Sequence, residues 1–278
     1  MRSFDYARPH TLEEALDLLA AHGEGAAPLA GGTDLMVQMS KGVRAPDVVV
    51  DLKRVAGLSA RIEDRSSHLR VGALACLADL VADRAACARL PALVGAARAI
   101  GSVQIRNRAT LAGNICNASP AADTAPPLLV YGARVNVVGP GGRRTLPIGE
   151  FFIGPGRTAL ARGEIVETID VPYPGAGTGS AFERLARRRG MDLALVSVAC
   201  LAGPGERVRF GFGAVAPTPI LVDGECEPDA PDTVLEQLAA PTTPITDIRA
   251  GEDYRRAMVL VLMRRALRAA RRRLTESG

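Results

Sequence analysis

Two glycine-bearing stretches constrain what this chain can fold into: Pro28-Leu29-Ala30-Gly31-Gly32-Thr33-Asp34-Leu35, and Thr110-Leu111-Ala112-Gly113-Asn114 running on to Ser119-Pro120-Ala121-Ala122-Asp123. In the first, an apolar pair that reads as a strand end meets two residues free to take φ > 0, then a hydroxyl and an acid able to open a helix. A turn of this kind points backbone N–H groups at one spot, where a phosphate satisfies them. Asp34 suits a helix cap or a hydroxyl acceptor rather than a phosphate ligand. A plain strand-turn-helix accounts for a single Gly-Gly-Thr equally well, so the second stretch carries the argument for a ligand. There Asn114 offers an amide, Thr110 and Ser119 offer hydroxyls, and Asp123 is an acceptor suited to a sugar hydroxyl. Pro120, Pro126 and Pro127 predict irregular backbone around them. An irregular, amide-rich segment between apolar elements is what a dinucleotide requires, and it is not the Rossmann kind: no G-x-G-x-x-G follows a strand.

The pattern around these stretches predicts an α+β fold. Thr11 caps a helix whose capping box is completed by Glu14, with Leu12, Leu16 and Leu19 on one face and an end at His22-Gly23. Segments 26–29 and 47–52 read as strands, which places Gly31 and Gly32 at a strand's carboxyl end, where α/β arrangements bind ligands. Strands follow at 69–74 and 164–171, helices at 77–82 and 91–100, and a hairpin at 134–138 and 144–146 across Gly139-Pro140-Gly141-Gly142. In 164–171, alternation assigns Ile165, Ile169 and Val171 to one face and Val166 to the other. Residues 151–158 read as a Gly-Pro loop. The densest Pro/Gly cluster, residues 172–177, marks a boundary between residues 1–172 (subdomains about 1–55 and 56–172) and 176–278. Beyond it, strands at 180–186, 193–201 and 207–215 and helices at 232–239 and 253–274 compose an antiparallel sheet with helices on one face.

Composition narrows the function classes. With no Trp and 4% aromatic residues, the chain offers no stacking platform for single-stranded nucleic acid. Its net charge is +4, and the closing basic run (Arg264, Arg265, Arg268, Arg271, Arg272, Arg273) reads as a solvated helix face or a surface for an acidic partner before it reads as a nucleic-acid site. The cysteines at 76, 87, 116, 200 and 226 form no C-x-x-C pair and read as reduced, mostly buried thiols, with Cys116 reachable from solvent. They lack the spacing of a cluster site, and His10, His22 and His68 lack that of a metal site. No stretch approaches the roughly eighteen apolar residues of a membrane span, and no secretory h-region opens the chain; a cytoplasmic protein is expected.

The motifs A-G-G-T-D-L, Q-I-R-N-R-A-T-L-A-G-N-I-C-N-A-S-P-A-A-D-T, F-F-I-G-P-G-R-T and F-G-A-V-A-P-T-P, spread over nearly the whole length, strongly resemble the FAD-binding medium subunit of the molybdenum hydroxylases, the family of xanthine dehydrogenase and carbon monoxide dehydrogenase. The resemblance implies a two-lobed FAD-binding domain of the PCMH type followed by a C-terminal antiparallel sheet with flanking helices. It implies that Leu29, Ala30, Gly31, Gly32, Thr33, Asp34 and Leu35 wrap the FAD diphosphate. Thr110, Gly113 and Asn114 would then hold the diphosphate and ribityl region, and Asp123 the sugar or ribityl hydroxyls. Ile165 or Val166 would lie against the flavin or adenine, with Ile100 also counted among the cofactor residues. A basic residue near the flavin is implied in 181–189, favouring Arg187 or Arg188 over Arg184, with Arg189 the remaining candidate. No side chain is implied as a catalytic acid or base. The resemblance further implies a small subunit with [2Fe–2S] clusters, a large molybdenum-cofactor subunit, a dimer of heterotrimers, and NAD⁺, a quinone or O₂ as acceptor. The family usually carries Gly-Gly-Asn where this chain has Ala112-Gly113-Asn114, which is tolerated if residue 112 has φ < 0. A non-catalytic scaffold with a degenerate FAD site is the alternative that Ala112 suggests.

Overall fold

A computed structural model describes residues 2–188 and 190–276. Among the described residues, three sheets of three or more strands are laid down in chain order, besides one two-stranded hairpin. The first is parallel, with Asp5–Ala7 and Ala26–Leu29 flanking the central strand Val48–Asp51. Val48, Val49 and Val50 are all buried, as a parallel strand covered on both faces requires. Val48 and Val50 pack with Ala15 and Leu19 of the helix Leu12–His22, and Val49 packs with Leu35 and Met39 of the helix Leu35–Ser40. The Thr11–Glu14 capping box forms as the sequence predicts, and Gly23 ends that helix at φ 52°.

The second sheet is antiparallel and five-stranded, ordered Ile62–Asp64, His68–Gly72, Ile165–Pro172, Arg134–Gly139, Gly142–Pro147. Its buried face carries the largest core, against the helices Leu77–Ala82, Arg84–Arg89, Pro91–Ala99, Leu111–Cys116 and Ala125–Val130. The alternation expected for 164–171 is broken by a bulge between Val166 and Thr168. Val166, Ile169 and Val171 therefore share the main core, while Ile165 joins Val138 in the core of the first sheet.

The third sheet is an antiparallel meander of Gly179–Leu185, Val196–Ala202, Arg207–Gly213 and Ile220–Glu225. Asp232–Ala239 and the long helix Glu252–Glu276 cover one face. The other face is not open, contrary to the expectation of helices on one side only: Phe182, Ala199 and Leu201 pack into the main core against Pro91–Ala99 and Ala125–Val130.

Two further expectations are corrected. The second glycine stretch is irregular from residue 117 to 124, as expected, but the chain turns helical at Pro126 and Pro127, which fall in the first turn of Ala125–Val130, where a missing N–H costs nothing. The Gly-Pro loop at 151–158 begins at the end of a short helix, Ile148–Phe151, and folds as a small hairpin of Phe152–Gly154 with Arg157–Thr158.

Candidate functional site

The strand Ala26–Leu29 delivers Ala30 and Gly31 against the turn that precedes the helix Leu111–Cys116. Gly31 lies so close to the Arg108 carbonyl that any Cβ there would collide with it, and Gly32 turns the chain at φ 76°. The contact is reinforced at its flanks: Gln38 Nε2 donates to Asn117 Oδ1 at 2.9 Å, Leu77 N donates to the Ala109 carbonyl at 2.8 Å, and Cys76 bridges Thr110. The two stretches are thus one site. Ala30, Gly31 and Thr110 line a single cleft with Lys53, Leu74, Cys76 and Arg108.

The amides of Gly31, Gly32, Thr33 and Asp34 donate no hydrogen bond among the described residues. Consecutive free amides in a turn form a concave donor set suited to an anionic group. Asp34 occupies the N-cap position of Leu35–Ser40 but makes no side-chain cap bond, since its backbone is already helical at φ −93°, ψ −46°. Its role as a cap is therefore corrected, and the packed surroundings raise its carboxyl above the ordinary range.

Thr110 caps Leu111–Cys116, its Oγ1 accepting from Gly113 N at 2.9 Å. A Cβ on residue 113 would press on that same hydroxyl oxygen at 2.9 Å, which accounts for the glycine. Asn114 Oδ1 accepts from Thr124 Oγ1 at 2.6 Å, leaving the amide's two N–H groups for a ligand. Ala112 is buried within this helix and is not among the positive-φ residues, so its methyl group is accommodated without strain.

Asp123 is 6% exposed and faces Arg184 Nε at 3.2 Å, yet its Oδ1 and the Arg184 Nε make no hydrogen bond. Burial pushes the carboxyl up to about 7, with the Arg184 charge pulling the other way. Arg184 is anchored by donating to the carbonyls of Ala99, at 3.1 Å, and Asp192. A buried carboxyl oxygen without a donor next to a fixed guanidinium fits the hydroxyl-bearing part of a nucleotide-type ligand.

Other predicted residues lie elsewhere. Leu29 and Leu35 pack in the small core beneath the first loop. Ile165 and Val166 are buried in two different cores. Ile100 packs at the edge of the main core, and its carbonyl accepts from Arg106 at 3.0 Å. Arg187 pairs with Asp192 at 3.4 Å and Arg188 donates to the Met191 carbonyl, both on an exposed loop, so Arg184 is the arginine the structure joins to Asp123. Arg189 falls outside the described residues.

Sequence reading missed Lys53 and Arg108. Lys53 follows the strand that pairs in parallel with Ala26–Leu29, Leu29 lying opposite Asp51, so a residue just past that strand must flank the first loop. The thiols also differ from expectation: Cys200 and Cys226 are buried, Cys76 and Cys116 half-buried and Cys87 exposed. Burial pushes the Cys116 thiol up to about 12, which leaves little thiolate at neutral pH. Part of the terminal basic run is tied to its own chain, Arg264 to Asp232, Arg268 to Asp229 and Arg271 to the Gly203 carbonyl, while Arg265 and Arg268 keep the solvated face.

Comparison with known proteins decides the family. Residues 2–174 match the FAD binding domain in molybdopterin dehydrogenase, and residues 180–270 match the CO dehydrogenase flavoprotein C-terminal domain. The chain belongs to the FAD-binding medium subunits of the molybdenum hydroxylases. It is 32% identical to the xanthine dehydrogenase FAD-binding subunit of Escherichia coli O157:H7, across 96% of this chain and 97% of that one. It is also 32% identical to the carbon monoxide dehydrogenase medium chain of Hydrogenophaga pseudoflava, across 96% of each. A chain of the reconstituted CO dehydrogenase from Oligotropha carboxidovorans superposes with a TM-score of 0.92 at 31% identity, covering 98% of this chain and 99% of that chain. This medium subunit is therefore an oxidoreductase subunit with a FAD-binding domain, and its α+β architecture is that of the carbon monoxide dehydrogenase medium chain. Among the described residues, no helix is long and apolar enough to cross a membrane.

Proposed function

We propose that this chain is the electron-output subunit of a cytoplasmic heterotrimeric molybdenum hydroxylase, holding FAD where the two glycine stretches meet. The observation that carries the reading is the junction itself. Gly31 is pressed on the Arg108 carbonyl, and consecutive free amides stand beside a cleft that Thr110 also lines. Those amides and the Thr33 hydroxyl would hold the diphosphate, with Thr110, Gly113 and the Asn114 amide on the other side. Asp123 would accept from ribityl or ribose hydroxyls. Arg184, rather than Arg187 or Arg188, would supply the positive charge that favours an anionic reduced cofactor. Ile100, Ile165 and Val166 would act through packing behind the site.

The chemistry supplied by bound FAD is the collection of single electrons and their onward transfer in pairs to an acceptor. The chain's own residues bind, orient and tune the field, and none acts as a general acid or base. Electrons would come from [2Fe–2S] clusters on a small partner, fed by a molybdenum cofactor on a large one, in a dimer of heterotrimers. The acceptor would be NAD⁺, a quinone or O₂. Residues 1–172, divided near 55, would form the FAD-binding domain and 176–278 the flavoprotein C-terminal domain. The accommodated Ala112 methyl group counts against a degenerate site.

Anaerobic titration of the co-purified complex with NADH, following the flavin band, tests the reading. Bleaching by NADH makes this an NAD⁺-linked subunit. A band that ignores NADH and bleaches with dithionite moves the acceptor to a quinone or a protein. Absence of any flavin band overturns the assignment.

A further inference from the structure

The cleft at the loop junction has two cationic walls, one just past a strand of the first sheet and the other in the turn before the helix Leu111–Cys116. Lys53 lies just past Val48–Asp51 of the first sheet, and its Nζ is 2.6 Å from Asp51 Oδ1. Asp51 is 3% exposed, and its other oxygen accepts from the Tyr6 hydroxyl, so the carboxylate that seats Lys53 is itself fixed. One contact to Asp51 leaves an ammonium group with N–H donors to spare. Arg108 comes from the turn before Leu111–Cys116. Its carbonyl is locked against Gly31, but its guanidinium makes no hydrogen bond or ion pair among the described residues. It stands near enough to Cys76 for its charge to act on that thiol, and Cys76 lines the same cleft.

We propose that Lys53 and Arg108 form a two-armed cationic clamp on the diphosphate of the bound dinucleotide, Lys53 reaching from the end of a first-sheet strand and Arg108 from the turn before the helix Leu111–Cys116. This rests on the reading of the cleft as the FAD site. The free amides of residues 31–34 provide oriented dipoles there but no net charge, whereas a dinucleotide diphosphate brings two negative charges. Two cations seated on opposing elements balance that charge, and charge-assisted contacts are the stronger kind. The Tyr6–Asp51 pair is the positioning element: it holds Lys53 at the rim rather than free in solvent. The ligand's charge would then add to the ties between two sheets that already share the core holding Val138 and Ile165 and the Gln38–Asn117 pair.

The test uses the full chain freed of flavin, titrated with FAD by quenching of flavin fluorescence, with ADP as a flavin-free competitor carrying the same diphosphate. Lys53→Met and Arg108→Met each weaken FAD binding by about tenfold or more and abolish competition by ADP. Lys53→Arg and Arg108→Lys retain both. Lys53 and Arg108 both reach solvent, and the far-ultraviolet circular dichroism of the variants matches the parent. Met variants that bind FAD and ADP as tightly as the parent overturn the clamp. A parent chain that binds no FAD overturns the site itself, a distinct result because it appears before any substitution is made.

Discussion

At position 31 a methyl group has nowhere to go. The Arg108 carbonyl occupies the space a Cβ needs, and both are backbone groups tied into their own elements, so neither can rotate away. Gly31→Ala is expected to cost about 1–3 kcal/mol, as overpacking at a rigid contact does. It should also weaken FAD binding by moving the first loop off the second stretch. Melting curves with and without FAD check both, and wild-type FAD affinity in the variant would remove Gly31 from the account of the site. Asp123 makes a different residue-scale prediction. Its folded carboxyl titrates at about 7 and an unfolded aspartate at about 3.9, so the unfolded chain gives up its proton first as pH rises. The flavin-free protein is then most stable with respect to this group below about pH 4, loses stability through the window up to about 7, and levels off above. Asp123→Asn should remove that slope, so its melting temperature should gain on the parent's between pH 5 and pH 8 while FAD affinity falls. A constant difference across that range would show that Asp123 is already ionised in the folded state at pH 5, so that burial does not raise its carboxyl. Gly31 was legible as a special residue in the sequence, but not its reason: the colliding atom belongs to a residue far along the chain.

At the scale of elements, the sequence was most readable where a local rule decides the outcome. The Thr11–Glu14 box, the strand Ala26–Leu29 and the helix Asp232–Ala239 follow from caps and short-range patterning. Elements were misread where a longer-range contact overrides the local signal. Pro126 and Pro127 predict irregular chain, yet they begin a helix because their missing donors fall in its first turn. Ile165 and Ile169 keep apparent alternation in sequence, and the bulge at Glu167 places them in different cores. That placement can be checked by energetics. Ile165→Ala should cost about 2–4 kcal/mol through the core of the first sheet, and Val166→Ala somewhat less through the main core. Although the residues are chain neighbours, the double variant should be additive within about 0.5 kcal/mol, since they share no packing cluster. A coupling above about 1 kcal/mol in chemical denaturation would mean the two cores respond as one.

Across the whole molecule, the candidate site depends on a sheet that contributes few residues to it. The third sheet presses its Arg207–Gly213 strand against the helix Ala125–Val130, which continues directly from Asp123 and Thr124. Gly211 faces the Pro126 carbonyl too closely for any side chain, Gly213 faces the Pro126 ring, and Ala214 N donates to the Pro120 carbonyl at 2.7 Å. The motif F-G-A-V-A-P-T-P, noticed in the sequence only as part of a resemblance, thus has a physical role: its glycine, Gly213, together with Gly211 two residues earlier, lets the helix bearing two prolines seat on the sheet. No local pattern could have paired residue 211 with residue 126. The same sheet supplies Arg184 to Asp123, so the second wall of the site is assembled only when the chain beyond residue 176 has folded. Gly211→Ala tests this long-range support. Its Cβ would push on Pro126 and displace Thr124, the donor that orients Asn114. The expected outcome is a loss of about 1–3 kcal/mol in stability together with a FAD affinity lowered several-fold, although residue 211 lines no part of the cleft. Thermal melts and flavin-fluorescence titration of the same preparation separate the two effects. Lost stability with unchanged FAD affinity would mean that the third sheet merely covers the core, whereas a joint loss marks it as the support that sets the Asn114–Asp123 wall.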